Sequence, residues 1–212
     1  MTRIVHRETG ALLIEVAGET LAGCELPLAE LHHAELSGAN LRGADLRWAD
    51  LCSANLRGAD LRHANLTGAD VSGSDLRDAD LTGATLVDAK LLGVRLDGTR
   101  LRGADLTRAV VRMAAGRSAD FRDASMGCSD LSRSSLESCD FTGAELGEAR
   151  FNQTRLSGAS MRYACLVAAA FCRADLSSVD LRDADLSWAS FNGCRMTGMR
   201  LEGARTEHVS YA

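Results

Sequence analysis

A large apolar residue stands at every fifth position of this chain. The series runs Leu21, Leu26, Leu31, Leu36, Leu41 and onward in one register to Leu201, with a single break at Gly116. Two residues before each of these centres stands a small side chain, most often Ala, as at Ala39, Ala44, Ala49, Ala54 and Ala59. The residue before the centre is Glu at 25, 30 and 35, then mostly Asp or Asn, and later also Ser, Arg or Glu. The residue after it is often Arg, Ser or Thr, and the next is most often Gly.

A period of five fits neither helix nor strand. Five residues turn an α-helix by about 500°, which spreads the centres around its whole circumference. In a flat strand an odd period sends successive centres to opposite faces. The pattern requires a backbone that turns a corner every five residues, with the centre and the preceding small residue both facing inward. Repeated corners make a coil, and coils stacked about 4.8 Å apart pair through their backbones. Such a solenoid is stabilised mainly by contacts between neighbouring coils.

Leu41-Arg42-Gly43-Ala44-Asp45, Leu46-Arg47-Trp48-Ala49-Asp50 and Leu56-Arg57-Gly58-Ala59-Asp60 carry the motif in full. The sequence resembles the pentapeptide-repeat family over about residues 19–205. The resemblance implies an all-β fold, a right-handed quadrilateral β-helix with four pentapeptides in each 20-residue coil. Roughly nine to ten coils and a rod about 45 Å long follow at that spacing. Residues 20 apart are then expected to stack. Phe121 and Phe141 fall in one column, and Phe151, Phe171 and Phe191 in a second. Leu26, Leu46, Leu66, Leu86 and Leu106 continue a third.

Three segments are expected: residues 1–18 as an N-terminal β-hairpin cap, 19–205 as the β-helix, and 206–212 as a tail or last partial coil. In the first, Glu8-Thr9-Gly10 is the turn, and Ile4, Val5, Leu12, Leu13, Ile14 and Val16 are expected to plug the open core. Near the other end Thr206 occupies a centre, with Val209 and Tyr211 at inward positions. That end either closes on these residues or docks onto another copy as a homodimer. Gly116 leaves a centre without a side chain, so a bend, bulge or changed turn is expected there unless Met113 swings in. Trp48 and Trp188 share one outward column and are expected to cover a cap or a neighbouring coil, or else to form a contact surface.

Composition narrows the function classes. Only 4% of the 212 residues are aromatic, so a mixed globular core is not expected. The net charge of -5 lacks the basic excess of a nucleic-acid-binding surface, and direct nucleic-acid binding is not expected. No apolar run approaches the roughly 20 residues of a membrane span. The N-terminus, Met1 to Arg7, is too polar for a signal peptide. Seven Cys without paired spacing suggest free thiols in a reducing cytoplasm. Cys24, Cys139 and Cys194 replace Ala at the inward position, whereas Cys52, Cys128, Cys165 and Cys172 face outward, where some are expected to be reactive.

The recurring Asp residues read as decoration of an outer wall, and no catalytic, cofactor-binding or metal-ligating residue is assigned. His32 and Cys52 lie 20 apart, but two ligands do not make a metal site. Cations interrupt the acidic column so that opposite charges stack one coil apart: Asp70 with Lys90, Asp75 with Arg95, Asp80 with Arg100, Asp130 with Arg150, and Asp175, Asp180 and Asp185 with Arg195, Arg200 and Arg205. Arg155 meets Ser135 instead. A second column, Arg42, Arg62, Arg102, Arg122, Arg162 and Arg182, flanks Asp60, Asp80, Asp120, Asp140 and Asp180 on the same face and reads as a mixed-sign wall. The leading reading is a non-enzymatic structural or protein-interaction rod of the cytoplasm with an unknown protein partner. The resemblance also implies an alternative, a DNA mimic that binds a type II topoisomerase (DNA gyrase or topoisomerase IV) and protects it from quinolones or toxins. A third reading is an anion- or small-ligand-binding enzyme accessory, with Arg95 and Arg100 in its basic band.

Overall fold

The computed structural model describes residues 1–211. From Leu21 onward the backbone repeats one five-residue unit: centre, two turn residues, small inward residue, bridge residue. Leu41 shows the bonding. Its carbonyl accepts from Ala44 N–H at 3.0 Å, closing a turn, and its own N–H donates to Asp60 O at 2.8 Å on the next coil. Gly43 N–H donates to Arg62 O at 2.9 Å, and Asp60 N–H returns a bond to Ala39 O at 2.9 Å. Parallel bridges join residues 20 apart without interruption from Glu25–Asp45 to Ser190–Ser210.

The third residue of every turn, from Gly23 to His208, has a positive φ. That is the type II signature, and Pro27, the one proline, sits at the second turn position that this type favours. Twenty-three of these third residues are not glycine. Each L-residue held there costs roughly 1–2 kcal/mol, so the turn is imposed by the inter-coil ladder and the buried centres rather than chosen by the local residue.

Four turns make one coil, and the molecule has four faces. Centres on the first face are Leu21, Leu41 and Leu61; on the second Leu26, Leu46 and Leu66; on the third Leu31, Leu51 and Val71; on the fourth Leu36, Leu56 and Leu76. The centres and the small residues fill one continuous core along the axis. Each buried Leu-sized centre contributes roughly 1.5–3 kcal/mol against the entropy of ordering its pentapeptide. The phenylalanines stack as the 20-residue repeat requires. Phe121 and Phe141 lie 4.7 Å apart at 2°. Phe151 and Phe171 lie 5.0 Å apart at 6°, and Phe171 and Phe191 5.0 Å apart at 3°. An edge contact of Phe141 with Phe151 at 6.0 Å joins the two stacks.

Where Ser or Thr replaces Ala inside, its hydroxyl is satisfied by a centre's carbonyl. Thr99 donates to Leu76 O at 2.7 Å and Thr154 to Leu131 O at 2.9 Å.

Gly116 corrects part of an expectation. The coil runs through without bend or bulge, Ser118 keeps the positive φ of its turn, and Gly116 N–H donates to Ser135 O at 2.9 Å like other centres; the turn itself is changed in one respect, since the bond from Ala119 N–H to the Gly116 carbonyl is missing and that carbonyl faces Cys139 Sγ at 2.6 Å. Met113 does not swing in; it is 51% exposed. The gap is closed from above and below instead. A Cβ on Gly116 would lie 3.0 Å from Leu96 Cβ and 3.2 Å from Leu136 Cδ2. The path of the chain depends on the backbone ladder, which needs no side chain at this position.

At the N-terminal end, β1 (Thr2–His6) pairs antiparallel with β2 (Leu12–Val16), and its other edge pairs with β3 (Ala34–Glu35) through Val5–Glu35 and His6–Ala34. The register jumps from Ile4–Ile14 to Val5–Leu12, which makes Leu13 the extra residue of a bulge. Ile4 is buried on the core, with Leu13, Ile14 and Val16 packed against it. Leu12 departs from its expected inward place: it is 46% exposed, because the bulge turns Leu13 toward the core instead. At the other end Tyr211 stacks on Phe191 at 5.8 Å, while Met196, Leu201 and Val209 are half-buried.

Candidate functional site

With the core sealed, chemistry is confined to side chains at the bridge and turn positions, which point outward on four walls. Two kinds of charge pairing organise these walls. Six of the seven expected coil-to-coil pairs form at 3.2–3.7 Å: Lys90–Asp70, Arg95–Asp75, Arg100–Asp80, Arg195–Asp175, Arg200–Asp180 and Arg205–Asp185. The seventh does not. Asp130 faces Arg112 Nε at 3.8 Å rather than Arg150. Arg155 reaches Ser135 Oγ as expected and also Glu137, at 3.0 Å.

The tighter pairing lies within a single repeat. In Asp-Leu-Arg units the aspartate flanks the centre on one side and the arginine on the other, and the two meet as a two-pronged fork. Arg62 Nη2 lies 2.6 Å from Asp60 Oδ2 while its Nε donates to Oδ1 at 2.8 Å. Arg47–Asp45, Arg77–Asp75 and Arg182–Asp180 repeat the geometry, as does Arg122–Asp120 around Phe121. The aspartate also accepts the N–H two residues on, as Asp60 Oδ1 does from Arg62 N–H at 3.2 Å. These forks were missed in the sequence, although the tripeptides stand in it. The fork, above all, holds the Asp60 and Asp180 carboxyls down to about 2. Every resolved shift of a carboxyl among the described residues is downward, the reverse of what a general acid working near neutrality needs.

The thiols follow their surroundings. Burial, then the Asp70 and Asp50 carboxylates, push the outward Cys52 up to about 12, so it is a poor nucleophile rather than a reactive one. Burial likewise raises inward Cys139 to about 12, and its Sγ lies 2.6 Å from Gly116 O. The ring stacked on His33 belongs to His6 of the hairpin, at 5.1 Å, a contact set by the β1–β3 register. Among the described residues no group of three or more His, Cys, Asp or Glu is placed to share a metal ion.

Net charge is unevenly divided among the walls. Around the second-face centres stand eight carboxylates against three guanidiniums, a balance equal to the whole chain's -5. The first face holds eight of each sign and the fourth six of each, while the third holds four acids against five bases. The second face also carries the exposed large side chains Leu28 (73%), Trp48 (59%) and Trp188 (62%) in one corner column, Leu28 and Trp48 on neighbouring coils and Trp188 near the other end of the rod. The Trp48 ring lies flat on Gly68 of the next coil, where a Cβ would overlap it, and Trp188 stacks on His208 at 4.0 Å. Both indoles therefore cover a neighbouring coil and still present one side to solvent.

Two shallow recesses mark the walls. One, of about 360 Å³, is lined by Tyr163, Cys165, Asp183, Asp185 and Arg205. Its charges are already matched, Asp183 by Arg162 at 3.7 Å and Asp185 by Arg205 at 3.6 Å. The other, of about 280 Å³, lies on the third face between Arg112, Arg133 and Arg150. Among the described residues no helix is long and apolar enough to cross a membrane.

Comparison with known proteins places this architecture. The family model for pentapeptide repeats matches in eight copies, in overlapping segments from residue 20 to residue 205. Among solved structures, the chain is similar to HetL, a pentapeptide repeat protein involved in heterocyst differentiation regulation in the cyanobacterium Nostoc. Identity is 33%, over 86% of this chain and 87% of that one, with a TM-score of 0.58. It also shares its fold with a trypsin-treated form of QnrB1, a plasmid-mediated fluoroquinolone resistance protein, at 17% identity over 82% and 87% of the two chains, with a TM-score of 0.59. No curated protein matches. The fold is thus the right-handed quadrilateral β-helix, in a family whose members are generally non-catalytic structural or interaction proteins. This chain belongs to the pentapeptide-repeat family.

Proposed function

We propose that the protein is a non-catalytic interaction rod of the cytoplasm, and that it docks a partner protein of opposite charge on its second face. One observation carries this reading: the wall that holds the chain's whole net negative charge is also the wall with Leu28, Trp48 and Trp188 exposed. Flat aromatic anchors inside a field of one sign fit a protein partner, because Trp dominates interface energetics and charge steers the encounter. The 1–18 hairpin serves as the N-terminal cap of the 19–205 β-helix, and residues 206–211 extend its last coil, residue 212 of the expected 206–212 segment lying outside the described residues.

The test is co-purification with wild-type protein and with a Trp48→Ala, Trp188→Ala double variant. A partner with a basic contact surface should be retained by the first and lost by the second. Equal retention by both, or substrate turnover by the purified chain, contradicts the reading. Topoisomerase mimicry is not favoured. Likeness to QnrB1 at 17% identity concerns the fold alone, and the first and fourth faces carry balanced rather than DNA-like charge. A second copy of the chain is a further partner: the half-buried Met196, Leu201 and Val209 would be covered by end-to-end pairing. Sedimentation at rising concentration reads this directly, with a monomer throughout as the contrary result.

A further inference from the structure

The third face differs from the other three in how its cations are used. Among the described residues, five arginines have no carboxylate within 4.0 Å of the guanidinium: Arg42, Arg117, Arg133, Arg150 and Arg173. Three of them, Arg133, Arg150 and Arg173, stand on the third face in consecutive coils. The bands that looked anion-binding in the sequence are different, since Arg95 and Arg100 are spent on Asp75 and Asp80. Arg133 and Arg150 line the 280 Å³ recess together with Arg112, Ser132, Asn152 and Gln153. Its one carboxylate, Asp130, is largely committed: Oδ1 accepts from Ser132 N–H at 3.0 Å and Oδ2 lies 3.8 Å from Arg112 Nε. That Nε is buried and has no hydrogen-bond partner.

The neutral groups point the same way. Asn152 Oδ1 accepts from Cys172 N–H at 2.9 Å, and an N–H can only donate, so the amide orientation is fixed with its NH₂ left free. The nearby backbone donors are used up in the ladder: Arg133 N–H bonds to Asn152 O at 2.9 Å and Gln153 N–H to Cys172 O at 2.8 Å. What remains is a set of side-chain donors, three guanidiniums and two amides, around a space that holds one small group.

We propose that this recess binds a phosphoryl group, with Arg112, Arg133 and Arg150 as its cationic ligands and Asn152 as a neutral donor. Guanidinium forks match the oxygens of phosphate in geometry as well as charge. The Arg112 guanidinium, whose Nε is unpartnered, is drawn toward an anion in the recess, and a donor of this kind is costly to leave unmade. The site is independent of the second-face interaction surface, so the two stand or fall separately.

Titration followed by the Arg112 Nε–Hε resonance tests it, using inorganic phosphate and phosphoserine as probes and chloride as control. Saturable shifts are expected with a Kd of about 1 mM or below. Arg133→Gln and Arg150→Gln should each weaken binding by about tenfold, the scale of a lost charge-assisted bond, with unchanged thermal unfolding. Arg117→Gln, an unpaired arginine on the fourth face, should leave it unchanged. Tighter binding of phosphoserine identifies a phosphoester as the source, and tighter binding of inorganic phosphate the free anion; both uphold the site. No saturable shift, the same shift with chloride, or equal weakening by Arg117→Gln overturns it.

Discussion

The lumen and the walls of this molecule are built from the same pentapeptides, yet they obey different rules. Inside, one requirement repeats: an apolar centre and a small neighbour, stacked on their counterparts 20 residues away. Outside, the same backbone presents unlike surfaces, with a balanced first face, an acidic and aromatic second, a third with unpaired arginines and a balanced fourth. Stability therefore resides in the lumen and individuality on the walls. Turn positions show the division well. Trp, His, Asp, Arg, Met, Tyr and Gly all occupy the third turn residue with positive φ, because the core and ladder fix the backbone and leave the side chain free to vary.

The largest effect should come from breaking the lumen. Phe141 is fully buried and touches both Phe121 and Phe151, so Phe141→Ala should cost about 3–5 kcal/mol of unfolding free energy in a urea titration. A loss below about 1 kcal/mol would mean that the stack does not carry stability. Next comes Gly116. Restoring the repeat with Gly116→Leu should destabilise, by about 1–3 kcal/mol, because Leu96 and Leu136 already occupy the space. Stabilisation by this change would show the gap to be open. On the walls, the Trp48→Ala, Trp188→Ala double variant should shift unfolding by no more than about 0.5 kcal/mol per site while removing the proposed partner, which separates the two roles in one protein.

The smallest effect is electrostatic. Asp180 is held down to about 2 chiefly by its fork with Arg182. A depressed carboxyl stabilises the fold above its ordinary titration range, near 3.8, and that contribution is lost as pH falls toward 2. Arg182→Gln should move the Asp180 midpoint up toward the ordinary value in an NMR titration and flatten the acid dependence of stability between those limits. An unmoved midpoint would remove the fork as the cause.

How much of this was legible in the sequence follows the same division. The period of five required a turning coil, the resemblance to the pentapeptide-repeat family implied four repeats in each turn, and the Phe columns at 20-residue spacing supported it. The coil-to-coil charge pairs were readable for the same reason. The Asp60–Arg62 fork was not: its partners are two residues apart, on either side of a centre, and their meeting depends on the side chains reaching across the wall. With Asp130 turned to Arg112, Arg150 is left over, and that leftover charge became visible only once each aspartate's partner was known. At Gly116 the turn loses its closing bond, but the path does not bend, because the ladder closes without a side chain there. The His6–His33 contact depends on the hairpin's register, which no repeat specifies.

Since the whole division rests on one coil per 20 residues, the most direct measurement is a distance along the axis. Spin labels on non-cysteine handles at positions 72 and 192, six coils apart on the third face, should give a dipolar distance near 29 Å, at about 4.8 Å per coil. A distribution centred there places lumen and walls as described. A centre beyond about 40 Å, as an extended or helical path would give, contradicts it.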